Sequence, residues 1–157
     1  MGMTPKSGRT PSLKSRAVAL LSRREHSRQE LLRKLQPHSE MPGDIEAVLD
    51  ELERAGWQSD ARFAQGLVQR KAHKQGAARI LDELRQHGIP AEQMVELREA
   101  LRGSELPRAC EVWQRRFGGE LPQAPADYAR QARFLAGRGF SHDVVKKILA
   151  GGCPSDS

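Results

Sequence analysis

The chain has 157 residues, of which 38% are hydrophobic, 4% aromatic and 29% charged. This length suits one domain or a string of small units, since domains usually contain roughly 100–200 residues. Seven aromatic residues and few β-branched ones exclude a compact all-β sandwich or barrel. No apolar run approaches the roughly 20 residues of a membrane span. Two cysteines, Cys110 and Cys153, are too few for a disulfide framework or a zinc site. The composition therefore predicts a soluble, cytoplasmic, helix-rich protein.

The net charge of +6 is distributed unevenly along the chain. Residues 1–16 contain four basic and no acidic side chains, residues 17–58 carry −2, and residues 59–103 and 104–157 carry +2 each. Most of the excess therefore lies at the start, where the composition predicts a basic flexible leader over residues 1–12. Such an arm attracts a polyanion without specifying a sequence, or it serves as a solubilising tail. The sequence leaves both interpretations open.

The first group of short amphipathic helices is predicted over residues 13–57. Its first helix, expected near 12–24, has one apolar face formed by Leu13, Ala17, Leu20 and Leu21. Ser27 and Glu30 have the spacing of a capping box, which predicts the start of the second helix. The third helix is expected to end at Gly56, because glycine suits the left-handed position after a helix.

Two further groups of three helices are predicted over residues 58–103 and 104–150, followed by a flexible tail over 151–157. Pro90 is expected in the first turn of the last helix of the second group. In the third group, Tyr128 and Leu135 are expected on the apolar face of the middle helix, and Ser141 is expected to cap the last helix. Each predicted unit of three short helices cannot bury its apolar face well by itself, so neighbouring units must stack.

The junctions between helices recur along the chain. "HGIP" at 87–90 and "RGFS" at 138–141 are 51 residues apart, and each joins a glycine to an apolar residue and a helix start. At both junctions a leucine near the end of one helix is followed five positions later by an apolar residue, Leu84 by Ile89 and Leu135 by Phe140. In the first linker the corresponding pair is Leu35 and Met41, which are six positions apart. A period near fifty residues is typical of helical repeats. We therefore predict an all-α fold, an elongated array of three tandem three-helix repeats.

The sequence offers no catalytic constellation. It contains neither a GxxxxGK[ST] phosphate loop nor a GxGxxG motif after a strand. The histidines lack the spacing of metal ligands, and Cys110 lies on the apolar side of its helix, where a small core residue is expected. We therefore assign no catalytic, cofactor or metal site and do not expect an enzyme.

Basic residues cluster near the helix junctions and are the candidate binding residues. Positive charge near helix C-termini is also favoured by the helix dipole, so a solvated basic face is an alternative interpretation. Repetition of the clusters in successive units favours a rim that follows a phosphate backbone or an acidic protein groove. The candidates are Arg23, Arg24, Arg28, Arg70, Lys71, Lys74, Arg79, Arg115, Arg116, Lys146 and Lys147.

The few aromatic residues do not indicate a base-stacking surface. Four of them lie at apolar helical positions and are predicted to be in the core: Phe63, Trp113, Phe134 and Phe140. Trp57 follows a glycine that ends a helix, so its position is left open between core and surface.

Three stretches of the sequence resemble the RecX regulatory proteins: 19–35, 45–89 and 132–149. The resemblance extends over about residues 13–150. Its most specific features, in order, are Ser27 with Glu30 and Leu31, Gly56, the run Asp60, Ala61, Arg62, Phe63 and Ala64, and Gly76 with Leu84, Gly88 and Ile89. The first linker lacks the Gly-apolar junction present at 88–89, and residues 118–126 are rich in proline and glycine.

The resemblance implies three tandem three-helix repeats and a negative regulator of the recombinase RecA. It implies binding to RecA and to the groove of its filament on single-stranded DNA, which inhibits ATP hydrolysis, strand exchange and coprotease action in DNA repair and the SOS response. Single- and double-stranded DNA are further possible partners, and a monomer without cofactor is expected. The alternative is a stand-alone DNA-binding regulator built from helix-turn-helix-like triads.

Overall fold

A computed structural model describes residues 10–154 of the chain. Within this range the protein is all-helical, which confirms the predicted fold class. The predicted leader falls mostly outside the described residues, as does the end of the predicted tail. The α-helices are α1 (Leu13–Leu21), α2 (Arg28–Leu35), α3 (Asp44–Arg54), α4 (Asp60–Lys71), α5 (Ala77–Gln86), α6 (Val95–Gly103), α7 (Glu105–Phe117), α8 (Pro125–Gly137) and α9 (His142–Leu149), with short 3-10 turns at Gln36–His38 and Ala91–Gln93.

The chain divides into two compact units, one ending at Phe63 and the other beginning at Ala64. Helices α1 to α3 lie in the first unit, and α5 to α9 lie in the second. A division by compactness does not locate repeats, so the boundaries expected for the three helix groups stay predictions.

The first unit has an aliphatic core formed by one face of each of its three helices. Ser27 begins α2 with a complete capping box, as predicted: its Oγ accepts from the Glu30 amide at 3.1 Å, and its own amide donates to Glu30 Oε1 at 3.0 Å. Helix α1 is shorter than the expected 12–24, since Ser12 caps its start and it ends at Leu21. The buried core residues are Ala17, Leu31, Leu35, Ile45, Leu49 and Leu52.

The expected equivalence of Met41 with the apolar junction residues is wrong. Met41 is 68% exposed, whereas Ile89 and Phe140 are each 4% exposed. The reason is the first linker, where α2 continues into a 3-10 turn containing Pro37 and the left-handed glycine, Gly43, comes after Met41 at the start of α3 instead of at the end of α2.

The two predicted glycine junctions share one backbone geometry. Gly88 and Gly139 have positive φ angles of 77° and 93°, and the next residue donates its amide back to a leucine carbonyl five positions earlier. The same geometry ends α3, where Gly56 has a φ of 81°. These are Schellman-type ends, in which glycine adopts the left-handed conformation without a Cβ clash and the following apolar residue turns back to the helix.

Two further expectations about the second unit are wrong. Pro90 precedes the 3-10 turn, and α6 begins only at Val95, so Pro90 is not in the first turn of that helix. Tyr128 is 42% exposed, and Gln131 occupies the buried position on α8 instead. The buried Gln131 is satisfied, because its Oε1 accepts a hydrogen bond from Trp113 Nε1 at 2.8 Å.

A disulfide joins Cys110 of α7 to Cys153 beyond α9. Cys110 is buried in the core, as predicted, but the expectation that the cysteines do not pair is wrong. The turn after α9 brings the chain back over α7, which places the two Cα atoms 5.7 Å apart. The number of cysteines in a sequence does not predict that the chain after α9 returns to α7.

We predict that reduction of this disulfide destabilises the second unit. The crosslinked residues are 43 positions apart, for which the chain-entropy estimate is at most about 4 kcal/mol. Chemical denaturation with and without reductant measures the difference. The Cys153→Ser variant is expected to match the reduced protein and to be insensitive to reductant. Equal stability of the oxidised and reduced wild type would contradict the prediction.

The backbones at Gly76 and Gly139 are in direct contact within the second unit. The Gly76 amide donates to the Arg138 carbonyl at 2.8 Å. A Cβ atom on Gly76 would lie 2.2 Å from the Gly139 oxygen, and one on Gly139 would lie 2.7 Å from the Arg79 Cβ. Neither backbone can move away without breaking the hydrogen bond, so both positions require glycine.

We therefore expect Gly76→Ala to lower the free energy of unfolding by at least about 2 kcal/mol. The matched control is Gly66→Ala in the interior of α4, where the new Cβ meets only Arg70 Nη1 at 3.5 Å. That substitution is expected to stabilise by about 0.5–1 kcal/mol. Urea denaturation of both variants measures the two changes in the free energy of unfolding. If both changes have the same sign, the inferred requirement for glycine at position 76 is wrong.

A basic surface around the turn between α4 and α5

Three arginines from α7 and the end of α8 donate to the backbone of the turn between α4 and α5. Arg108 Nη1 donates to the carbonyls of Ala72 and Gln75 at 2.9 and 2.7 Å. Arg115 Nη2 donates to the His73 carbonyl at 2.6 Å, and Arg138 Nη1 lies 3.4 Å from the Lys74 carbonyl. The carbonyls at the end of α4 are thus satisfied by positively charged donors, as the helix dipole favours.

Arg108 is the most buried of these arginines and serves the fold. Besides the turn, it reaches Leu101 O at 2.7 Å and Ser104 Oγ at 2.9 Å. Burial lowers the pKa of its guanidinium from the ordinary value, although the charge of Glu105 opposes that change. An arginine that donates this many hydrogen bonds positions the turn and is not available to a ligand.

The carboxylate of Glu105 connects two helix starts beneath this surface. Its Oε1 accepts from the Ala77 amide of α5 at 2.7 Å, and its Oε2 accepts from the Ser141 amide at 2.8 Å. The residue is 4% exposed, and Ser141 itself caps α9 as predicted, with its Oγ accepting from the Val144 amide. A negative charge near two helix N-termini is favourable, because unpaired amides point toward it.

The predicted binding residues of the second unit surround the turn or lie on α9. Lys71 is half-buried and pairs with Glu83, whose Oε1 lies 3.7 Å from its Nζ, so its charge is partly compensated. Lys74 and Arg70 are exposed, as are Lys146 and Lys147.

The other three candidates in this unit make contacts within the fold. Arg79 donates to the Gly137 carbonyl at 2.8 Å, and Arg115 binds the turn as described. Arg116 lies 5.4 Å from the ring centroids of both Phe117 and Phe134. All three retain exposed charge, so they contribute to the potential of the surface as well as to its structure.

The three candidates of the first unit differ in their availability. Arg24 forms a two-pronged pair with Glu30, with contacts of 2.9 and 3.3 Å, and that hydrogen bonding raises the pKa of its guanidinium. Arg28 contacts both Asp50 and Glu53 near 3 Å. Arg23 is exposed and forms no salt bridge with a described residue. Two of these three charges are therefore neutralised locally.

Sequence reasoning missed Glu105, Arg108 and Arg138, which organise the basic surface. Their roles depend on contacts across 28 to 64 positions of the chain, so local patterns hold no signal for them. The aromatic predictions were mostly confirmed: Phe63, Trp113 and Phe140 are buried, Phe134 is half-buried, and Trp57 is 51% exposed.

The described residues contain no group of three or more potential metal ligands among His, Cys, Asp and Glu. Over the same part of the chain, no helix has both the length and the apolar character needed to cross a membrane.

Comparison with known families identifies the arrangement of helices. The first, second and third three-helix domains of RecX match residues 14–52, 59–96 and 104–149, respectively. The chain belongs to the RecX family.

Relatives and solved structures agree with that membership. Regulatory protein RecX of Leptothrix cholodnii is 53% identical over 141 residues, covering 88% of this chain and 87% of the relative. That of Chromobacterium violaceum is 47% identical over 146 residues, covering 92% and 93%. A crystal structure of RecX from Lactobacillus salivarius has a TM-score of 0.69 at 18% identity, covering 89% and 94%, and a crystal structure of regulatory protein RecX has 0.70 at 21%, covering 87% and 70%. At these identities the two structures support the fold alone.

We predict that Glu105→Gln lowers the free energy of unfolding by about 1–3 kcal/mol. The amide has one oxygen, so one of the two backbone amides now bound to the carboxylate must face an NH2 group. Glu111→Gln on the exposed side of the same helix is the control and is expected to change stability by no more than about 0.5 kcal/mol. Thermal and urea unfolding of the pair decide the matter, and equal effects would refute the bridging role.

Proposed function

We propose that this protein is a negative regulator of RecA that binds RecA and the groove of its filament on single-stranded DNA. Binding there inhibits ATP hydrolysis, strand exchange and coprotease action in DNA repair and the SOS response. Membership of a family of regulatory proteins supports this proposal. The main structural observation in its support is the basic surface around the α4–α5 turn. Exposed cations lie on this turn, whose backbone is held by hydrogen bonds from Arg108 and Arg115.

The candidate contacts are cations that lie around the turn or on α9, of which Lys71 and Arg79 also make contacts within the fold. Exposed cations act by electrostatic positioning on phosphates or acidic side chains, and they do not read base sequence. A protein that contacts several protomers of a filament gains affinity through multivalency, so each contact can be weak. We assign the contacts to Arg70, Lys71, Lys74, Arg79, Lys146 and Lys147.

A stand-alone DNA-binding regulator is the competing function. It requires a recognition helix whose side chains donate to bases. Helix α3 carries five acidic residues and one basic residue, and α6 carries two of each, so neither suits a major groove lined by phosphates.

We place the protein in the cytoplasm and propose that it acts as a monomer without a cofactor. A reducing cytoplasm would shift the Cys110–Cys153 pair toward the dithiol form. The chemistry of ATP hydrolysis belongs to RecA in this proposal, so the regulator itself is not an enzyme.

The test is the ATPase activity of RecA on single-stranded DNA with this protein added. We expect inhibition at fewer copies of this protein than of RecA, because one bound molecule affects several protomers. Unchanged ATPase activity at equimolar protein, together with specific binding to duplex DNA, would establish the competing function instead.

A charge-reversal pair tests the basic surface itself. Lys71→Glu combined with Lys74→Glu is expected to weaken inhibition about tenfold or more, since two attractive contacts become repulsive. Arg85→Glu combined with Arg133→Glu changes the same total charge on exposed helical positions away from the turn. The control is expected to inhibit nearly as well as the wild type. Circular dichroism checks that helicity is retained, and full inhibition by the first variant would remove both lysines from the site.

A further inference from the structure

A groove of about 480 Å³ lies between α1 and α2 in the first unit. Helix α1 and the turn after it contribute residues spaced at i, i+3, i+4 and i+7, in which Ala19 and Leu20 lie between Arg16 on the helix and Arg23 in the turn. Helix α2 contributes Lys34 and Leu35. The groove thus combines an aliphatic surface with three cations, and no carboxylate lines it.

No salt bridge joins a cation of the groove to a described carboxylate, and most carboxylates of this unit have partners elsewhere. Glu51 pairs with Lys14, Asp50 and Glu53 pair with Arg28, and Glu25 pairs with Arg62. The Glu30 carboxylate is bound by Arg24 and by the Ser27 amide.

Arg16 carries the sharpest sign of a missing ligand. It forms no salt bridge with a described residue, and its Nε is buried without a hydrogen-bond partner among them. A buried charged donor left unsatisfied costs free energy that an anion would recover.

Lys34 is held in place by a neutral histidine. His26 Nδ1 lies 3.0 Å from the Arg24 carbonyl and must donate to it, which leaves Nε2 as an acceptor 3.5 Å from Lys34 Nζ. Burial lowers the pKa of His26, which favours the neutral imidazole and keeps its Nε2 available as an acceptor for Lys34.

We propose that this groove binds an acidic peptide segment of a partner protein, with an aliphatic side chain seated between two carboxylates. Arg16 lies on α1 and Arg23 lies in the turn directly after it, seven positions later, which corresponds to roughly 10 Å at the helical rise of about 1.5 Å per residue. A peptide in the polyproline II conformation rises about 3.1 Å per residue with three residues per turn, so carboxylates at its first and fourth positions share a face and reach the two arginines. The expected motif is acid, aliphatic, any residue, acid.

Peptide is favoured over nucleic acid by the composition of the groove. Single-stranded nucleic acid binds through base stacking on aromatic rings as well as through phosphate contacts, and the groove is lined by no Phe, Tyr or Trp, its one ring being the imidazole of His38. An aliphatic surface suits an aliphatic side chain, whereas a phosphate gains nothing from it. The start of this chain is also a poor occupant, because Lys6 and Arg9 have the same sign as the groove and no acid lies nearby in sequence.

The test uses the full chain alone, without a recombinase, so its outcome is independent of the function proposed above. A fluorescein-labelled peptide with the core Glu-Leu-Ser-Glu is titrated with the protein by fluorescence anisotropy. Two control peptides carry the cores Gln-Leu-Ser-Gln and Glu-Ser-Ser-Glu, and unlabelled oligothymidylate serves as a competitor. The peptide controls require no protein variant and therefore no assumption about folding.

We expect the first peptide to bind about tenfold or more tightly than either control peptide, since each lacks one of the two attractions. Arg23→Glu combined with Lys34→Glu should abolish this preference. Arg33→Glu combined with Arg54→Glu, two exposed positions of the same unit outside the groove, should retain it.

Three results would overturn the proposal. One is absence of binding by the wild type at millimolar protein. Another is equal loss in the two doubly substituted variants, which would mean that the charge of the whole unit attracts the peptide. The third is preferential binding of oligothymidylate that displaces the peptide, which would assign the groove to nucleic acid.

Discussion

The contact between Gly76 and the chain at Gly139 is the constraint on which the second unit depends. The amide of Gly76 bonds to the Arg138 carbonyl, and the approach is so close that no Cβ fits on either glycine. Immediately beside it, the Glu105 carboxylate accepts amides from the starts of two helices. A buried charge is costly unless it is fully hydrogen-bonded, and here the two helix N-termini meet that requirement. The closeness of the backbones and the position of the carboxylate therefore support one another.

The basic surface follows from this junction. With α5 and α8 fixed against each other, arginines from α7 and α8 reach the carbonyls of the α4–α5 turn, and the lysines of that turn are displayed to solvent. Some cations thus build the surface and others remain available for binding. The two roles are distinguished by partners: Arg108 has four backbone or hydroxyl acceptors, whereas Lys74 is exposed.

The first unit distributes its charges differently. Its acidic side chains neutralise Lys14, Arg24, Arg28 and Arg62, whereas Arg16, Arg23 and Lys34 line the groove between α1 and α2 without a salt bridge to a described residue. The proposed function would use both kinds of surface. Exposed lysines attract a polyanion over a distance set by screening, and a groove with an aliphatic surface adds selectivity for one kind of segment.

The sequence by itself determined the helical class, the helix caps at Ser27 and Ser141, the glycine ends of the helices and most of the aromatic core. These features depend on residues within one or two turns of each other, where spacing and chemistry act directly. It misplaced Met41, Pro90 and Tyr128, because exposure and helix starts depend on the neighbouring helices. Only the tertiary structure decided the disulfide, the Glu105 bridge and which arginines are free. Each of those joins residues far apart in the chain, and their meeting is a property of packed helices that local periodicity does not contain.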